Sequence, residues 1–143
     1  MKNEKKIEFA VKALIINEGR FLAVRRSQTK WTTFELPGGR MEFGETAEET
    51  VVREVFEETG LHVTPLVLVD TWNYVTETWQ ITGIIYLCSA KKPGEIVLSE
   101  EHDHYEWLSP DADSLEKMGQ TFRPQMLRWD WDELIRKSEV QSI

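Results

Sequence analysis

The chain opens with two apolar runs, partly alternating with polar residues, in "FAVKALIINEGRFLAVRR". They flank Asn17-Glu18-Gly19, where Gly19 can take a positive φ, so the pattern predicts a β-hairpin. A polar stretch follows, and "WTTFELPGG" then reads as a short strand stopped by Pro37-Gly38-Gly39. Between Thr46 and Thr59 the period changes. Ala47, Val51 and Val55, joined by Val52, recur at helical spacing. Thr46 with Glu49 makes a capping box at the start, and Gly60 stands where a helix leaves through the left-handed region. "HVTPLVLVDTWNYV" and "TWQITGIIYLCSA" read as two strands joined near Thr76-Glu77, and "YEWLS" as one more. Pro124 suits the first turn of a helix. Leu127, Trp131, Leu134 and Ile135 follow at i, i+4, i+7 and i+8, which predicts one amphipathic closing helix. The sum is a mixed α+β fold, and with no repeat or linker the expectation is a single domain over residues 1–143.

Composition adds limits. Hydrophobic residues make up 41% and charged residues 29% of 143, as in ordinary folded chains. No apolar run approaches the roughly 20 residues that cross a bilayer, and "MKNEKKIEF" lacks the apolar stretch of a secretory signal. A lone cysteine, Cys88, fits a reducing compartment, so the expectation is a cytoplasmic protein without membrane partners. The net charge is 17 − 25 = −8, which offers no general attraction to a nucleic-acid polymer. A phosphorylated ligand therefore needs a cationic mediator.

Much of that charge lies between Gly39 and Leu61. Seven glutamates (42, 45, 48, 49, 54, 57, 58) face two arginines there, a local balance of 2 − 7 = −5. Glu54, Glu57 and Glu58 stand at i, i+3 and i+4 and project from one side of a helix. Converging carboxylates are what a hard dication such as magnesium takes, together with water and substrate phosphate. Arg53 can hold one carboxylate by a two-pronged hydrogen bond. The upstream glycines let a ligand or ion approach bare backbone.

The run "GRMEFGETAEETVVREVFEETGL" resembles the signature of the Nudix hydrolases at Gly39, Glu45, Arg53, Glu54, Val55, Glu57, Glu58, Gly60 and Leu61, without departure. The resemblance implies an α/β/α sandwich around a mixed sheet. It also implies metal-dependent hydrolysis of a nucleoside diphosphate linked to another group, with Mg2+ or Mn2+ as cofactor. On that mapping Glu57 and Glu58 are the principal metal ligands and Glu54 is a ligand or base. The carbonyl of Gly38 adds to the shell, and Arg53 and Glu45 support the catalytic centre. Glu101, in "EEHDHYEW", matches the family's later carboxylate as ligand or general base, with Glu100 its rival. Subgroup markers narrow the substrate: the proline of ADP-ribose hydrolases is replaced by Thr76, and Tyr74 is out of place for a diadenosine-polyphosphate enzyme. A nucleoside triphosphate, damaged ones included, cut to monophosphate and pyrophosphate, is the expected substrate. An ADP-sugar or dinucleotide, or nucleotide sensing without turnover, is the alternative. Family members are often dimers, so a homodimer is a further expectation.

Other residues carry weaker signals. Arg25, Arg26 and Arg40 could reach a phosphate, and Trp31, Phe34, Trp72, Tyr74 or Trp79 could stack on a base. His102 and His104 have no companion Cys or His at metal spacing and read as loop residues. Cys88, in an apolar strand, reads as a buried small hydrophobe.

Overall fold

The computed structural model describes residues 4–27 and 32–140. Strands β1 (Lys6–Asn17) and β2 (Arg20–Arg26) form the expected hairpin, paired through Ile16–Phe21 and Asn17–Arg20. The chain then contributes β3 (Gly38–Arg40), helix α1 (Ala47–Thr59), and the long strands β4 (His62–Val75) and β5 (Trp79–Lys91). Strand β6 (His102–Leu108) and helices α2 (Ala112–Leu115), α3 (Arg123–Met126) and α4 (Trp131–Val140) complete it. The sheet runs β4-β5-β1-β2-β6, with β3 also on β1. It is mixed, because β1 and β5 run parallel while the other pairs are antiparallel.

Strand β1 is buried on both faces, which is why its apolar run is nearly continuous rather than alternating. Ala10 and Leu14 pack in one cluster with Phe21, Trp72, Ile85, Leu115, Met126 and Leu134. Val11, Ala13 and Ile15 pack in the other, against Val51 and Val55 of α1. Two apolar layers thus enclose the sheet, the sandwich the sequence led us to expect. Lys12 shares its face with Ala10 and Leu14 and is the one charge in this run, 5% exposed.

Helix α1 has both expected ends. Thr46 and Glu49 form the reciprocal capping box, and Gly60 closes the helix in the left-handed conformation. Val52, however, points to solvent.

Three expectations need correction. The glycine pair does not merely stop a strand: Gly38–Arg40 is itself a strand on β1, while Phe34 and Glu35 make only isolated bridges. The closing segment is not one helix. It breaks after Met126 because Asp130 starts a new helix, its carboxylate accepting from Glu133 N at 3.2 Å and its carbonyl from Leu134 N at 3.1 Å. His102 and His104 lie on β6 rather than in a loop. Cys88 is buried as read, and burial pushes its thiol up to about 12. No helix among the described residues is long and apolar enough to cross a membrane.

Candidate active site

The α1–β3 contact brings glutamates and bare backbone together. Gly38 N donates to Glu58 Oε1 at 2.9 Å. A Cβ built on Gly39 would stand 2.3 Å from Glu54 Oε2, and one on Gly38 would stand 2.1 Å from the Val11 carbonyl. Gly38 also has φ +141°. Only glycines let this strand lie so close to both neighbours. Glu58 is 5% exposed, and burial pushes its carboxyl up to about 8. Burial raises Glu54 as well, against the pull of Arg53.

Arg53 organises the helix face. Its Nε and Nη2 donate to the two oxygens of Glu45 at 2.6 and 3.0 Å, the two-pronged contact its position suggested. Nη1 reaches Glu54 at 3.0 Å and Glu57 at 3.2 Å, and Nη2 also donates to the Arg40 carbonyl at 3.0 Å. The hydrogen bond from Arg53 holds Glu45 down at about 2. One guanidinium therefore ties helix, loop and β3 together.

The C-terminal end of α1 positions the next wall. Its last carbonyls, on Glu58 and Thr59, accept from Ser99 N at 3.0 Å and Val97 N at 2.8 Å. The chain turns there and Glu101 O accepts from Ser27 N at 2.8 Å, which sets Glu101 opposite Glu58. Lys12 rises from the floor. Its Nζ lies 3.0 Å from Glu35 Oε1 and 3.5 Å from the Gly38 carbonyl, and 5.5 Å from the Trp72 ring centroid. Arg26 Nε donates to the other oxygen of Glu35 at 3.0 Å. Burial would raise Glu35, but Lys12 and Arg26 hold it below the usual carboxylate range.

These groups line one cleft of about 650 Å³. Four of the five expected metal-site residues, Gly38, Glu54, Glu58 and Glu101, are in its lining. Glu57 stands outside, half-exposed and paired with Arg53. Of the expected substrate contacts, Trp72 and Arg40 line the cleft. Trp72 donates to the Ala10 carbonyl at 3.3 Å, and Arg40 sits 5.2 Å over the Trp79 ring. Arg25 does not face the cleft: it pairs with Asp103 at 3.3 Å, and Arg26 takes the lining position. Neighbouring residues of a strand point to opposite faces, so the two side chains go different ways. Trp31 lies outside the described residues.

Lys12 and Glu35 were not singled out from the sequence. The available signal was a lysine inside the apolar run "FAVKALII" and a glutamate between Phe34 and Leu36, both charges at positions that otherwise read as core.

Residues 6–130 match the family described as NUDIX domain. The chain is 37% identical over 119 residues to a MutT-like protein of Streptomyces ambofaciens, covering 82% of this chain and 73% of that one. It is also 37% identical over 86 residues to the asymmetrical bis(5'-nucleosyl)-tetraphosphatase of Rattus norvegicus, 57% of this chain and 56% of that. The crystal structure of a MutT protein from Methanosarcina mazei Go1 superposes with a TM-score of 0.78 at 32% identity, covering 91% and 97% of the two chains. The chain belongs to the Nudix family. It is a Nudix hydrolase, with the fold and helix-borne glutamates that the sequence signature implied.

Proposed function

We propose that this cleft hydrolyses nucleoside triphosphates to monophosphate and pyrophosphate with a bound divalent cation, magnesium or manganese. The observation that carries the reading is the convergence of Glu54, Glu58 and Glu101 on one cleft that also holds Lys12 and an aromatic rim. The donor set fits a dication: oxygens of Glu58 and Glu101 and a nitrogen of His102 all lie within 4.8 Å of one another. Glu54, Glu58, Glu101 and the Gly38 carbonyl would hold the ion, with Glu57 available from the same helix. When bound, the ion neutralises phosphate charge and makes a water more acidic.

The chain's own residues supply the rest. Lys12, Arg26 and Arg40 offer cationic groups to the polyphosphate, and Trp72, Tyr74 and Trp79 offer faces to the base. Glu54 or Glu101 takes the proton of the attacking water. Burial raises the Glu54 carboxyl against the pull of Arg53, the direction that favours taking up a proton. The water oxygen bonds to phosphorus as the anhydride bond to the leaving pyrophosphate breaks. Arg53 keeps Glu54 oriented from outside the cleft.

A panel of nucleoside triphosphates, oxidised nucleotides, dinucleoside polyphosphates and ADP-sugars tests this, with products separated by anion exchange. Monophosphate plus pyrophosphate from a triphosphate, abolished by EDTA, is the expected result. The likeness to the tetraphosphatase makes dinucleotide cleavage the second reading. Turnover of a dinucleoside polyphosphate alone would establish that reading instead, and tight binding without turnover would point to a sensor.

A further inference from the structure

His102 is 3% exposed, and neither of its ring nitrogens has a hydrogen-bond partner. Leaving buried polar atoms unpaired costs about 1–3 kcal/mol, so such a group calls for a ligand. Its backbone is fixed: His102 N donates to the Ser99 carbonyl at 3.2 Å, and His102 pairs with Arg26 across β2 and β6. One of its nitrogens lies within 4.8 Å of carboxylate oxygens on both Glu58 and Glu101. Donors on one small dication, each at roughly 2.1 Å, lie up to about 4.2 Å apart. The 4.8 Å within which the three atoms lie is close to the spacing that one ion imposes.

We propose that His102 supplies a nitrogen ligand to the cation held by Glu58 and Glu101, so that the site favours a first-row transition ion over magnesium. Imidazole suits zinc, iron and nickel best and is accepted by cobalt and manganese, whereas magnesium takes oxygen donors. An all-carboxylate cleft would not discriminate in this way. The nitrogen nearest the two carboxylates is then a ligand atom beneath the cleft wall rather than a packing defect. This inference rests on the reading that the cleft takes a dication, and it names which kind.

The test uses the whole protein loaded with manganese alone and pulsed electron paramagnetic resonance. Nitrogen coupling to the bound ion is expected in the unaltered protein and in His104→Gln, and its loss in His102→Phe, which keeps a ring of similar shape. Titrations should show manganese and cobalt affinity falling about tenfold or more in His102→Phe, with magnesium affinity within about twofold. His102→Asn serves if the phenylalanine variant fails to fold, and the coupling in the unaltered protein needs no variant at all. Manganese bound without nitrogen coupling, or manganese and magnesium weakened in equal proportion, would overturn the inference while leaving metal-dependent cleavage in place. If the unaltered protein takes up no dication, this inference and the metal-dependent reading fall together.

Discussion

Lys12 Nζ and Glu35 Oε1 lie 3.0 Å apart on the floor of the cleft, with the lysine 6% exposed at its side chain and the glutamate 23%. The glutamate is shared with Arg26. The pair holds a buried positive charge in an acidic cleft.

Removing either partner therefore leaves a charge without its counterpart. Lys12→Met is expected to destabilise the fold by about 1–3 kcal/mol in urea denaturation and to raise KM for a polyphosphate nucleotide. Glu35→Gln should destabilise similarly. The double variant should lose less than the two single losses added together, because neither charge then remains. Additive losses would show that the two groups act separately.

Gly39→Ala places a methyl where the Glu54 carboxylate stands, 2.3 Å from Oε2. Glu54 must move by an ångström or more, and misplacement on that scale costs on the order of 100-fold in rate. The expected outcome is a loss of kcat of that size with far-UV circular dichroism unchanged. Unaltered kcat would separate Glu54 from the chemistry.

Arg53→Lys tests the organising role of one guanidinium. A lysine cannot reproduce the fork on Glu45 or reach Glu54, Glu57 and the Arg40 carbonyl at once. Stability should fall by about 1–3 kcal/mol, and kcat should fall more than KM rises, since Arg53 touches the carboxylates and not the cleft. A change confined to KM would place Arg53 on the substrate instead.

The outline of the fold was legible because its elements announce themselves locally. The hairpin turn at Asn17-Glu18-Gly19, the Thr46–Glu49 cap and the Gly60 exit are each set by a few adjacent residues, and the glutamate spacing on α1 follows from helical geometry. What the sequence did not disclose depends on contacts distant in the chain. Glu101 meets Glu58 only because the loop before it is pinned to the helix's last carbonyls. Lys12 and Glu35 meet across 23 positions. Arg25 and Arg26 face opposite sides of β2, and which side meets the cleft is set by the rest of the fold. The closing helix broke because the Asp130 cap interrupted a pattern of apolar positions that itself continues.

The raised carboxyl of Glu58 sets a pH dependence in metal-free protein. In the folded state it titrates near 8, against about 4.5 for an ordinary glutamate. Between those values the folded chain holds a proton that the unfolded chain has lost, so this group's contribution to stability falls as pH rises. In EDTA, the melting temperature of the unaltered protein should decline from pH 5 to pH 8 more than that of Glu58→Gln. The variant should melt a few degrees higher at pH 8, its amide still able to accept from Gly38 N. A parallel pH profile for the two proteins would remove Glu58 as the cause.

That stability result makes Glu58→Gln a folded reporter of the central claim, that buried carboxylates of α1 hold the cation on which nucleotide cleavage depends. Calorimetric titration of manganese into the unaltered protein and into Glu58→Gln, paired with pyrophosphate release from the preferred triphosphate, is the direct measurement. Cation affinity and turnover are expected to collapse together in the variant. Full manganese uptake and undiminished pyrophosphate release by Glu58→Gln would contradict it.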